Sequence, residues 1–169
     1  MDTSVMMPDM GGPIEATEPE RDLEALFRDE ARAVFRTLVV YTAGRRDIAE
    51  EAVAEAFARA LAHRATIRDP LPWIYRTAFR LANDELRRDR RRAPAEQAER
   101  EIEPPEFANV AAALRRLTPN QRAAVVLRHV LDLDVDEVAR RMGTAQATVR
   151  VHLHRGRKRL RELLGTEEV

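Results

Sequence analysis

The side chains best suited to chemistry in this 169-residue sequence are cations, and they recur at helical spacing towards its C-terminal end. Arg150, His154, Arg157 and Arg161 fall at i, i+4, i+7 and i+11, which places them on one face of a helix. Guanidinium forks bind phosphate, and one fork can donate two hydrogen bonds to a guanine edge. Gln146 and Thr148 lie just ahead, where the first turn of a groove-inserted helix meets base edges, and Val151, Arg155 and Lys158 fill positions between. Earlier in the chain Arg76, Arg80, Asn83 and Arg87 repeat the spacing, close behind Trp73 and Tyr75. Cations beside aromatic rings suit strand-separated nucleic acid, whose bases stack on rings while its phosphates meet arginine. The plainer alternative for this second run puts Trp73 in a core and pairs the arginines with Asp84, Glu85 and Asp89.

Other chemistries are short of reagents. Cysteine is absent, Ser4 is the only serine and Lys158 the only lysine, so thiolate, serine and P-loop chemistry all lack their central residue. His152 and His154 point about 200° apart on a helix and cannot share a metal ion. Asp47, Glu50, Glu51 and Glu55 gather on one helical face, but nothing places a nucleophile beside them. They are expected to be a solvated or partner-binding face. No catalytic residue, metal or cofactor is expected, and the chain is not expected to be an enzyme. It has no apolar run of about 18 residues, and Met1 to Pro19 lacks the basic and apolar regions of a signal peptide, so a cytoplasmic location is expected.

The formal net charge is zero, yet the charge is segregated. Glu15 to Glu30 carries seven acids against two arginines, and Pro94 to Glu106 five against one. Arg76 to Arg92 carries seven arginines against three acids, and Arg150 to Arg161 has six cations and no acid. Two basic blocks separated by an acidic stretch predict contact with a polyanion at two places.

These blocks need helices to position them, and the sequence predicts an all-α protein of two small helical domains. Residues 1–20 read as a disordered tail. Residues 21–92 hold three helices: one with Leu23, Leu26, Phe27, Ala31, Val34, Phe35 and Leu38 inward, broken at Gly44; one with Val53, Phe57 and Leu61 inward; and, after a loop from Arg64, one opening at Pro72 with Ile74, Ala78, Leu81, Ala82 and Leu86 inward. Residues 93–107, acidic and proline-containing, read as a linker. Residues 108–165 hold a short helix over Val110 to Leu117 and a helix launched by the capping box Thr118-Pro-Asn-Gln121. A third helix runs from Asp134 to Met142-Gly143, and Thr144 is expected to cap a last one with Val149, Leu153, Gly156, Leu160 and Leu164 inward. Gly143 between the last two helices makes a helix-turn-helix, whose second helix would enter a DNA major groove.

Taken together, the residues resemble the extracytoplasmic-function (ECF) RNA polymerase sigma factor family. Trp73-Ile-Tyr-Arg-Thr-Ala and Asp84-Glu-Leu-Arg-Arg look like sigma region 2. Leu117-Thr-Pro-Asn-Gln-Arg122, Leu127-Arg128, Glu137-Val-Ala139, Met142-Gly143 and Thr148-Val-Arg150, on through Leu153-His-Arg155 to Leu160, look like region 4. The resemblance implies that the second helix, with Asp47, Glu50, Glu51 and Glu55, binds the β′ clamp helices of core RNA polymerase. It implies that Trp73, Tyr75, Arg76, Arg80, Asn83 and Arg87 open and read the −10 element. Region 4 would read the −35 element through positions matching Arg150, Val151, His154 and Arg155, and would hold the β flap on its apolar outer surface; position along the helix adds Gln146 and Thr148 towards bases and Arg157, Lys158 and Arg161 towards phosphates. An anti-sigma factor is a further implied partner; membrane insertion and a small-molecule substrate are not. The chain departs from the family pattern at Ala54, Arg80 and Val151, and in a short loop before Pro72.

Two other classes fit parts of the pattern. One is an autonomous activator with a LuxR-like DNA-binding half, which would bind duplex alone as a dimer. The other is a helical interaction protein whose basic faces merely solvate. The Trp73-Ile-Tyr-Arg76 helix separates the first from a sigma factor, because an activator has no use for a single-strand surface.

Overall fold

The structure, a computed structural model, describes residues 18–92 and 105–165, and these form seven helices and no strand. The N-terminal half is a three-helix bundle of α1 (Glu18–Tyr41), α2 (Arg46–Ala62) and α3 (Pro70–Arg92). The C-terminal half holds α4 (Pro105–Arg115), α5 (Pro119–Val130), α6 (Val135–Met142) and α7 (Gln146–Leu164). The all-α expectation holds. Most of the expected tail and linker lie outside the described residues, but α1 starts inside the one and α4 inside the other.

Local chemistry explains the helix ends. Gly44 N donates to Val39 O and Ala43 N to Val40 O, closing α1 with paired bonds around a left-handed residue. That residue is Ala43, at φ +54, so the break comes one residue before Gly44. Trp73 N donates to Asp69 O, so α3 opens at Pro70 and not at Pro72. Both prolines fit within the first turn, where backbone N–H groups have no intrahelical partner. Pro105 likewise opens α4, where the paired prolines had read as linker. The Thr118–Gln121 capping box forms in both directions, and Asp134 caps α6 by accepting from Glu137 N at 2.8 Å. Thr144 does not cap α7: its N–H closes α6 by donating to Ala139 O, so Ala145 becomes the N-cap and offers no side-chain bond.

The buried faces follow the expected stripes with four changes, the first being Phe27 on α1, which is 49% exposed with its ring against that of Phe57. Val53 and Phe57 are buried, whereas Leu61 is 44% exposed. On α3 the core takes Tyr75, Thr77 and Phe79 as well as Ile74, Ala78 and Ala82. On α7 Val149, Leu153 and Gly156 are buried, and Leu163 is better covered than Leu164. Between α1 and α2, Arg45 pairs with Asp47 and with Asp89 near the end of α3, tying the turn to the third helix. These bonds raise the Arg45 pKa and lower that of Asp47.

The two halves are not separate beads. α1 packs on α5 and α3 on α6, and the buried apolar residues form one continuous cluster across both halves.

Candidate nucleic-acid interface

α6 and α7 meet at Gly143, whose φ of +65 is a left-handed turn that glycine adopts without a Cβ penalty. α7 is held by its buried stripe against α5 and α6, and its approach to α5 is close. A Cβ on Gly156 would stand 2.9 Å from Val125 Cγ2.

The predicted basic residues divide between two sides of α7. Arg150, His154, Arg157 and Arg161 line a groove of about 480 Å³ with Arg128, over a floor that includes Val135 and Leu153. Arg155 and Lys158 lie in a different groove of about 270 Å³, with Arg116, Gln121, Arg159 and Glu162. The Arg150 face therefore flanks the buried stripe and does not oppose it, as its shared lining with Leu153 shows. Val151 and Thr148 are exposed. Gln146 donates to Asp136 Oδ1 at 2.9 Å and accepts from Arg150 at 3.1 Å, so it orients the first arginine of the face. Sequence reasoning missed Arg128, Arg116 and Arg159, because they were not on the face that periodicity selected. It also missed His129, which accepts from Arg157 Nε at 3.4 Å. Desolvation, then the Arg157 and Arg128 charges, holds the His129 pKa below its usual 6.5.

On α3 the structure brings only some of the predicted set together. Arg76, Arg80 and Asn83 line a cleft of about 280 Å³, with Tyr41, Phe79 and, from the other half, Pro119, Asn120, Ala123 and Met142. Arg87 is exposed outside this lining, and Trp73 is half-buried against the core. Tyr75 is a correction to the expected base-stacking ring. It is fully buried, with the Arg141 guanidinium 4.7 Å from its ring centroid. On α2, Asp47, Glu50, Glu51 and Glu55 are exposed around Ala54, with Asp47 paired to Arg45 and Glu55 to Arg59 at 2.6 Å.

Fold and charge define a class: an all-helical protein whose C-terminal half is a helix-turn-helix of the DNA-binding kind. Residues 107–160 match the family model described as "Sigma-70, region 4". The ECF RNA polymerase sigma factor SigE of Mycolicibacterium smegmatis is 31% identical over 160 residues, covering 83% of this chain and 61% of that protein. The RNA polymerase sigma factor CarQ of Myxococcus xanthus is 32% identical over 109 residues, 59% of this chain and 63% of that protein. Among solved structures, the sigma factor RpoE in complex with the anti-sigma factor NepR, from Bartonella quintana, superposes with a TM-score of 0.67 at 19% identity. That match covers 88% of this chain and 99% of the other. CnrH in complex with the cytosolic domain of CnrY superposes at 0.65 and 21% identity, covering 88% and 90%. Residues 107–160 match region 4 of the sigma-70 family, and over most of its length the chain is similar to ECF RNA polymerase sigma factors. It spans just over three-fifths of the length of these two curated relatives. That family is not a class of enzymes. No helix among the described residues is long and apolar enough to cross a membrane.

Proposed function

We propose that this chain binds core RNA polymerase and directs it to promoters by contacting −10 and −35 elements. The observation that carries the proposal is the helix-turn-helix whose second helix bears the row Arg150, His154, Arg157 and Arg161, with no carboxylate paired to it among the described residues, inside a segment that matches sigma region 4. In this reading residues 21–92 act as region 2. The exposed acids of α2 meet the β′ clamp helices, and the arginine face of α3 meets the separated −10 strand. α7 lies in the −35 major groove, with Gln146, Thr148, Arg150, Val151, His154 and Arg155 towards bases. Arg157, Lys158 and Arg161 then meet phosphates, whose neutralisation supplies most of the affinity. Phe107 and Val110, exposed on α4, supply apolar surface for the β flap. An anti-sigma factor is a further partner, supported by one structural neighbour that is a sigma factor in complex with an anti-sigma factor. The working place is the cytoplasm, where polymerase is.

The test is run-off transcription from genomic promoter fragments by core polymerase, with and without the chain. Initiation at discrete starts is expected only with it. Tight, sequence-specific duplex binding by the chain alone as a dimer, without stimulation of polymerase, would favour the activator class instead.

A further inference from the structure

The first turns of α7 are apolar on two opposite sides. Val149 and Leu153 are buried against the rest of the C-terminal half. Ala147 and Val151 each lie two residues from Val149, about 200° around the helix, and so face outward. Ala147, Thr148 and Val151 are all exposed, Val151 at 45%. The only other large apolar side chain so open on α7 is Leu164, at its far end. The amide that starts the helix is turned aside, because Gln146 bonds both Asp136 of α6 and Arg150. A surface that meets the head of α7 therefore encounters a ridge of methyl groups.

Cations flank this ridge on both sides. The groove lined by Arg150, His154 and Arg157 runs along one side, and the groove lined by Arg155 and Lys158 along the other. The nearby acids are engaged off the ridge, Asp136 with Gln146 and Arg140, and Glu162 with Arg159. A helix about 10–12 Å across fills a DNA major groove about 12 Å wide, with a phosphate strand along each flank. The ridge then meets the groove floor. Base edges there present donors and acceptors, and one apolar group, the C5 methyl of thymine. A polar edge pressed against valine loses water and gains no hydrogen bond, which costs free energy. The thymine methyl loses only apolar hydration and gains a contact.

We propose that Val151, supported by Ala147 and the methyl of Thr148, reads the C5 methyl of a thymine in the duplex that α7 enters. This rests on the placement of α7 in the −35 major groove, and adds the base and the atom that the position recognises. Neighbouring helical residues are displaced by about 1.5 Å along the axis, against about 3.4 Å for each base pair. The thymine therefore lies within about two base pairs of the position that Arg150 reads. Removing one methyl-sized group from water is worth about fourfold in an equilibrium.

The test begins with duplexes selected from a random library by the full chain, with core polymerase and without it. In the enriched duplex each thymine is replaced singly by deoxyuridine, which lacks the methyl and keeps every hydrogen-bonding group. At one thymine near the Arg150 position, wild-type binding should weaken about fourfold. Val151→Ala is an exposed change to a better helix former, so the fold is kept. With that variant, thymine and deoxyuridine at this position should bind alike. Val151→Ile should retain the preference, and Arg150→Ala should weaken binding without changing the ratio. A ratio of one at every thymine, a ratio that survives Val151→Ala, or a selection that enriches no sequence overturns the proposal. The ratio does not depend on initiation. If the chain alone shows it on duplexes that polymerase does not transcribe, the methyl contact stands and the promoter reading falls. Run-off initiation from the enriched duplex with a ratio of one does the reverse.

Discussion

Replacing Gly156 with alanine sets two opposed effects against each other. In a helix interior, alanine is favoured over glycine by about 1 kcal/mol, so on an exposed face the change should stabilise. Gly156 is buried, however, and the new Cβ would lie 2.9 Å from Val125 Cγ2 and 3.5 Å from Gln121 O. The nearest atom belongs to a β-branched, buried side chain with one strongly preferred rotamer on a helix, and the next is backbone. Neither yields as the tip of a flexible side chain would, so α5 and α7 must separate by some tenths of an ångström. Overpacking of this kind costs about 1–3 kcal/mol, which leaves Gly156→Ala less stable by about 0–2 kcal/mol. Val125→Ala alone should cost about 2 kcal/mol through lost burial and a small cavity. Made together, the two changes should be less damaging than their sum by about 1–2 kcal/mol, because the cavity receives the new methyl. Urea unfolding of the four proteins, followed by circular dichroism, reads this coupling. If Gly156→Ala stabilises by the full helical increment equally with and without the Val125 change, α7 does not approach α5 as described, and the placement of its basic face falls with it.

Burial pushes the pKa of both Tyr41 and Tyr75 up, opposed chiefly by the nearby Arg122 and Arg141 charges. The folded chain keeps phenol protons that the unfolded chain sheds near pH 10.0, so stability should fall as pH rises past that value. With only these two tyrosines present, phenolate absorbance should appear together with unfolding, and titration at pH 10 in a fully helical chain would refute the burial. In transcription from a library randomised over the −35 hexamer, Arg150→Ala should relax the preference at one or two positions, worth about 1–3 kcal/mol each. Arg161→Ala should lower the signal evenly and reduce the salt slope by about one unit. An unchanged preferred hexamer for Arg150→Ala would make that residue a phosphate contact. Glu51→Arg with Glu55→Arg should abolish co-purification with core polymerase while the thermal melt barely moves, since both acids are exposed. Retained co-purification would move the contact off α2. Asp134→Ala should cost about 1 kcal/mol by removing the α6 cap, and an unchanged urea midpoint would show that the cap contributes nothing.

What could be read from the sequence was whatever depends on neighbours along the chain. The 3.6-residue stripes, the Thr118–Gln121 capping box, Asp134 as a cap, Gly143 as the left-handed turn and Gly156 on a close-packed face are all decided within one or two helical turns. Boundaries slipped where one residue type serves two purposes: Pro70 and Pro105 can end a loop or open a helix, and Thr144 had the right chemistry one position early. Side-chain fate across the junction could not be read at all. Tyr75 sits in a run of aromatic and basic residues that looks like a DNA surface, and nothing local says that Arg141, 66 positions later, will cover it. For the same reason Arg122 and Arg128 read only as parts of a family string, because what they face lies on other helices.

The pairing of α1 with α5 and of α3 with α6 joins segments far apart in sequence, whereas each half closes mainly on its own neighbours. Contacts of long sequence separation form late, and a chain made from its N-terminus folds its first unit first. At ordinary elongation rates the residues from Ala93 to Val169 take roughly 4–15 s to add. Through that interval a newly made α1–α3 bundle has nothing to cover Tyr41, Tyr75 and Phe79. Each nascent chain therefore passes through a stage in which this aromatic and basic face is bare beside the ribosome, a polyanion itself, until α5 and α6 are made and shield it.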